Sequence, residues 1–379
     1  MKHLIGAGHV AEKILRDSTP GQFLVYDNNP DMQGTNLHGH IVLPVEALAE
    51  HTGCEIIICT SSVSEIRAQL QHLGVEIPIN VPADLKEFQA QADLLGLRLS
   101  FLIASGLPSN NFHGASGGLF KAEINENNSV KVTEIISGPC HSVIRDGTDY
   151  VVSVQAEGLV ILDDSFTVSR VIDLPAGARP HGVAMTKEHY IVVASNFDAL
   201  LKVSKDGNKI EQIPFSDKQE SLGSAQHHGN DIEIIGDNAY VSMFSVSGSW
   251  KNGLFDCGLL EINLETKRKN LLPLPVKLPH SVRAIDDKLI VLNSFDGSVY
   301  SFGALEEYEF NGFLRGVDYD PHYYYFAESR NRNSTPLRRR RFPSSIDSKI
   351  NIVCRDSNFS RAAMLPPEIS EIHSILKLT

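Results

Sequence analysis

The chain has 379 residues and a formal net charge of −12, with 42% hydrophobic and 21% charged residues. That length is long for one domain and comfortable for two, the composition is that of a soluble globular protein, and the acidic balance argues against nucleic-acid binding. No apolar run approaches the roughly 18 residues of a membrane span, no secretory leader is legible at the start, and the five cysteines form no paired framework, so the expectation is a cytoplasmic protein with reduced thiols and no membrane span.

Residues 1–82 alternate short apolar runs with helical patterns. H-L-I-G-A-G-H-V-A-E-K-I-L reads as strand, glycine turn and helix, with Gly6, Gly8 and Ala11 in the G-x-G-x-x-A spacing that brings a phosphate to backbone N–H groups at a helix start. The next run, Q-F-L-V-Y-D, ends in Asp27, about 20 residues on, where an acid can accept a hydrogen bond from a ribose hydroxyl. Further runs (G-H-I-V-L-P, V-E-A-L-A-E-H-T, C-E-I-I-I-C, V-S-E-I-R-A-Q-L-Q-H-L-G, V-E-I-P-I-N) continue the alternation, and the expectation is a small α/β Rossmann-like domain. A nucleotide is the candidate cofactor of its pocket. The competing reading is a fold kept for packing or homo-oligomerisation. Residues 83–97 carry Leu85, Phe88, Ala92 and Leu95 at helical spacing and read as a linker helix.

The run Y-D-N-N-P-D-M-Q-G-T-N-L-H-G-H-I-V-L-P-V-E-A-L resembles a segment of the nucleotide-sugar-binding Rossmann domain that precedes the catalytic part of many surface-polysaccharide acyltransferases. Gly6, Gly8, Asp27, Gly34 and Gly39 stand at matching places. The resemblance covers residues 1 to about 80 and implies that the pocket holds a UDP-sugar or a dinucleotide such as NAD.

Residues 98–379 are organised by one recurring position. P-C-H-S-V (His141), R-P-H-G-V (His181), H-H-G-N-D-I (His228, Asn230), L-P-H-S-V (His280), F-L-R-G-V (Arg315) and E-I-H-S-I (His373) each open a short apolar run, at steps of 40, 49, 50, 35 and 58 residues. Repeats of about 40–50 residues built from short strands indicate a β-propeller, here with six blades. The first blade lacks a leading strand and the last run lacks a blade, so the C-terminal strand is expected to close the ring. Strands at equivalent places put His141, His181, Asn230, His280, Arg315 and His373 around one channel mouth. The ends of the second strands, including Asn196, Asn293 and Glu328, and also His228, border the same mouth.

Histidine is the commonest ligand for Zn, Mn or Fe, and three imidazoles with an open position make a Lewis acid. His141, His181, His280 and His373 are therefore candidate ligands of a divalent metal or acid/base groups. Arg315 is the anion clamp and Glu328 the candidate base. The competing reading is a polar mouth that orders water. Three long loops share that face. Residues 329–345 bring Arg330, Arg332 and Arg338 to Arg341, residues 106–118 bring His113, and residues 245–258 bring Trp250, a candidate sugar-stacking platform.

F-N-G-F-L-R-G-V-D-Y-D-P-H-Y-Y-Y-F-A-E-S-R-N-R-N resembles a segment of an uncharacterised bacterial propeller family. Gly312, Phe313, Leu314, Arg315, Gly316, Ser329 and Arg332 match, while Glu328 stands where a small residue is more usual. The resemblance spans about residues 140–379 and implies a fold rather than a reaction. The chain is thus expected to be a cytoplasmic enzyme of surface-glycan or nucleotide-sugar metabolism, with lyase, epimerase or hydrolase chemistry at the mouth. The alternatives are a non-catalytic scaffold that grips a glycan or partner, and an NAD-dependent oxidoreductase.

Overall fold

The computed structural model describes residues 1–19, 21–50, 55–106, 117–302, 308–330 and 345–378. They fall into two compact units, Met1–Leu97 with Cys354–Arg361, and Arg98–Val353 with Ala362–Thr379. No helix among the described residues is long and apolar enough to cross a membrane.

The first unit is built on a six-stranded sheet of β1 (Lys2–Ile5), β2 (Phe23–Tyr26), β3 (Asn36–Leu37), β4 (His40–Leu43), β5 (Ile56–Ile58) and β6 (Ile79–Asn80), in the order β3-β4-β2-β1-β5-β6. Successive side chains of a strand point to opposite faces. Leu4, Val25 and Ile57 therefore pack on one face with α1 (His9–Arg16), and Ile5, Tyr26 and Ile58 on the other with α2 (Val63–His72). Burial on both faces explains why the strands read as continuous apolar runs rather than alternating ones.

The expected two-domain fold class, with a Rossmann-like α/β domain ahead of the propeller, is corrected here. The sheet is parallel from β4 to β6, but its edge is the antiparallel β3–β4 hairpin. V-E-A-L-A-E forms a six-residue 3-10 segment, Val45–Glu50, instead of an α-helix. The cause is strand length: polar turns cut the strands to two to four residues. A four-residue strand spans roughly 13 Å, which a helix of eight residues, about 12 Å long, already covers. Taken whole, the chain is nearly all β.

The second unit is a six-bladed propeller. The inner strands of blades 1 to 6 are Ile372–Leu378, Cys140–Asp146, Pro180–Met185, Gly229–Ile235, His280–Ile285 and Phe313–Tyr319, each touching the next around a closed ring. Each inner strand is followed outward by its neighbours, with four strands per blade among the described residues except in blade 5, where three are described. The C-terminal strand is the inner strand of blade 1 and pairs with Leu99–Ser105, from Ile372 opposite Ser105 to Leu378 opposite Ser100. Closure hides the edges that an open array of strands would expose. Alternate residues of each blade fill apolar layers between neighbouring blades, such as Leu102, Val152 and Val160, or Val193, Val241 and Leu260.

Candidate functional site

All six inner strands break register near their first residues. The break lies between Ile372 and Ser374, Cys140 and Ser142, Pro180 and Val183, Gly229 and Ile232, His280 and Val282, and Leu314 and Val317. A β-bulge re-aims the side chains beside it. His373 and His141 are the extra residues of their bulges, and His181, Asn230 and Arg315 lie in two-residue bulges. Blade 5 differs. His280 stays paired with Leu292, and the extra residue is Ser281, at φ +44°.

The bulges of blades 1, 2 and 3 bring three imidazoles together. His141 stacks on His181 with centroids 4.3 Å apart, and His373 meets His141 edge-on at 4.5 Å. One ring nitrogen from each of His141, His181 and His373 lies within 4.8 Å of the other two. His141 Nε2 donates to Gln155 Oε1 at 3.2 Å, which leaves the lone pair on Nδ1. That Nδ1, like His181 Nε2, is buried and has no hydrogen-bond partner among the described residues. Burial lowers the His141 pKa to about 4, and Arg179 and Arg315 add to the effect. Burial holds His181 well below its ordinary value, with the neighbouring histidines contributing. His141 and His181 are therefore held toward the neutral form, each with a buried ring nitrogen left over. Orphaned buried acceptors are costly, and a divalent cation fits this donor set without prior deprotonation.

Arg315 and Glu371 border the cluster, both about nineteen-twentieths buried. Arg315 Nη1 donates to Glu371 Oε1 at 2.5 Å and lies 3.1 Å from His373 Nε2, while Glu371 Oε1 is 3.4 Å from the same nitrogen. Glu371 is the carboxylate of the site, and the sequence reading passed it over. The signal was its place two residues before His373 in E-I-H, an extended spacing that points both side chains the same way. Glycine is required at Gly106, because a Cβ there would stand 2.4 Å from His373 Nε2.

The remaining predicted residues separate into two sets. His228, at φ +55°, lies between Phe244 (4.5 Å) and Trp250 (4.4 Å) and meets His181 edge-on at 5.9 Å, so Trp250 belongs to an aromatic arc of the mouth. His280 belongs to the same arc, 5.3 Å from Phe244 and 5.4 Å from Phe313. Its Nδ1 is held by Leu278 O (2.9 Å) and Ser294 Oγ (3.0 Å), so it joins no ligand group with the other three. Burial, then Arg315, pushes its pKa well below the ordinary value. Asn230 Nδ2 donates to the carbonyls of His228 and Pro279, both at 3.3 Å.

Glu328 Oε1 accepts from Asn351 Nδ2 at 2.6 Å and faces Lys349 Nζ at 3.3 Å within blade 6, while its Oε2 is buried with no hydrogen-bond partner among the described residues. Asn293 is spent on its own turn, accepting from Lys277 N and donating to Ser298 Oγ and Asp296. Asn196 is exposed and donates to Gly177 O. The backbone N–H of Arg330 donates to Ser370 O. Arg332, Arg338 to Arg341 and His113 lie outside the described residues.

In the first unit Gly6, Gly8 and Ala11 occupy the turn and first helix as expected. Gly6 has φ +102°, and a Cβ there would press on Cys59 and Thr60. Asp27 closes the glycine turn. Its Oδ2 accepts from Ala7 N–H at 2.6 Å and its Oδ1 from Asn29 N–H at 2.8 Å, so the carboxylate ties the glycine turn to the end of β2.

No family model and no curated protein matches the sequence. Among solved structures, the chain is similar to one in a crystal structure of a nidogen/laminin complex, at 10% identity and TM-score 0.48, over 74% of this chain and 98% of that one. It is similar to the calcium-binding protein regucalcin of Agrobacterium tumefaciens at 11% identity and TM-score 0.44, over 61% and 75%. A luciferin-regenerating enzyme gives 11% identity and TM-score 0.44, over 62% and 78%. Likenesses at this level assign no activity.

Proposed function

We propose that the channel mouth is a metal-assisted catalytic site for a small anionic molecule, with an acidic sugar the first class to test. The observation that carries this reading is the convergence of three imidazoles, two of which, His141 and His181, are buried with a ring nitrogen that no described residue satisfies. His141, His181 and His373 would hold a divalent transition metal, which supplies Lewis-acid polarisation of a bound oxygen when present. Arg315 adds positive charge beside it, and Glu371 is the nearest carboxylate for moving a proton. The arc of Phe244, His228 and Trp250 offers flat faces to a sugar ring. Lyase, epimerase and hydrolase chemistry all use this set of groups. The described cysteines, Cys59, Cys140, Cys257 and Cys354, are buried free thiols, which agrees with a reducing compartment.

The test is elemental analysis of purified protein after incubation with Zn²⁺, Mn²⁺, Fe²⁺ or Co²⁺ and exhaustive desalting. Near-stoichiometric metal in wild type, lost in His181→Ala, is the expected result. A folded wild type that retains none of the four ions overturns the proposal.

A further inference from the structure

The Arg315–Glu371 pair has the form of an occupied anion site. A guanidinium so deeply buried is costly unless an anion accompanies it, and here the anion comes from the protein's own chain, on the segment that also carries His373. The same guanidinium reaches the imidazole cluster through His373, and that cluster has buried nitrogens on His141 and His181 that lack a partner. So a cluster still lacking a ligand adjoins an anion subsite already filled from within. Arg315 also lies over the Phe313 ring, 4.9 Å from its centroid, which fixes the guanidinium plane while its partner changes.

We infer that Glu371 is an internal stand-in for the ligand's carboxylate: a carboxylate-bearing ligand takes its place on Arg315, and Glu371 is released toward the imidazoles. This deepens the proposed function and rests on that reading for the role of the imidazoles, though the exchange itself needs no metal. The chemistry is one of partners. Arg315 keeps one charged acceptor throughout, so the guanidinium is never left buried alone. In the Arg315-paired state Glu371 Oε1 already lies 3.4 Å from His373 Nε2, so release leaves the carboxylate beside the imidazole cluster. The ligand class follows. A carboxylate matches the group it replaces in charge and shape, and a neutral sugar has nothing to exchange.

An internal competitor makes a prediction of unusual sign. Glu371→Gln removes the competing charge, so an external carboxylate binds more tightly than in wild type, by at least about tenfold. A merely structural Glu371 gives the opposite, because losing it loosens the site. The experiment titrates full-length wild type, Glu371→Gln and Arg315→Gln with D-glucuronate, and with D-glucose as the neutral control. Calorimetry is run on metal-free and Co²⁺-treated protein, with circular dichroism to verify folding. The inference stands if glucuronate binds Glu371→Gln at least tenfold more tightly than wild type, Arg315→Gln loses it, and glucose binds none. It is overturned if a folded Glu371→Gln binds glucuronate no better than wild type. Should that variant not fold, Glu371→Asp, which draws the carboxylate back by one methylene, takes its place. A gain in affinity supports the exchange and no gain overturns it. The metal-free arm separates the two proposals. Glucuronate exchange by a protein that takes up none of Zn²⁺, Mn²⁺, Fe²⁺ and Co²⁺ leaves this inference standing and sinks the metal reading, and metal uptake without exchange does the reverse.

Discussion

Blades 2 and 5 enter the mouth on nearly the same letters, P-C-H-S-V and L-P-H-S-V, yet their histidines have different surroundings. His141 is the extra residue of its bulge, donates to Gln155 through Nε2 and presents a bare Nδ1 to His181 and His373. His280 remains a ladder residue opposite Leu292, its bulge falls one position later at Ser281, and Leu278 O and Ser294 Oγ hold its Nδ1. Both are buried and both are held neutral. What separates a ligand from an aromatic-arc residue is the placing of one unpaired backbone residue, not the side chain.

The largest expected difference is in metal affinity. On the proposed reading, His141→Ala or His181→Ala removes one of three proposed ligands and should weaken Zn²⁺ or Co²⁺ binding by at least about a hundredfold. His280→Ala should change it by less than about threefold, and equal losses in a calorimetric titration would break the distinction between the blades. Next come the residues that follow the second strands, Gln155 and Ser294. Gln155→Ala frees the outer nitrogen of a ligand imidazole and should cost about 10- to 100-fold in metal affinity. Ser294→Ala should cost none.

The acid limb of stability is what the two blades share. His141 titrates at 6.5 when unfolded and at about 4 when folded, so the unfolded chain binds more protons and stability falls as pH drops from 6.5 toward 4. His181 and His280 shift the same way. Each titrating histidine contributes a loss of up to about 1.4 kcal/mol per pH unit. Urea unfolding at pH 6.5 and 5.5 should detect this in metal-free protein, and a flat profile across that range would contradict the burial. The smallest effect is the stability cost of Ser294→Ala, about 1 kcal/mol for one hydrogen bond, read from the same curves at pH 7.

The comparison also marks how far the sequence could be read. The spacing of His141, His181, Asn230, His280, Arg315 and His373 revealed the repeat, the blade number and the strand that closes the ring, because a propeller imposes one period on its apolar runs. It could not reveal bulge register, since moving the extra residue from His280 to Ser281 leaves the pattern of letters intact. Glu371 was hidden for a related reason: a carboxylate in a loop-like P-P-E-I-S-E reads as a solvated charge until Arg315 arrives from a strand 56 residues away. The partners of Glu328 Oε1, Lys349 and Asn351, were equally hidden, since they lie on the next strand of its own blade. In the first unit the glycines were placed correctly, but strand length, and with it the helix content, depended on turns that no motif encodes.

The seam of blade 1 has a further meaning. His373 rides on the strand zipped to Leu99–Ser105, while its companions His141 and His181 stand on blades formed from chain more than 190 residues earlier. Anything that bridges the three imidazoles is therefore also a rivet across the joint of the ring. By mass action, a ligand at a hundred times its dissociation constant would add about 2.7 kcal/mol against the joint opening. Backbone amides along Leu99–Ser105 would then exchange with solvent more slowly when the mouth is occupied than when it is empty, so the durability of the ring would follow the supply of whatever the mouth holds.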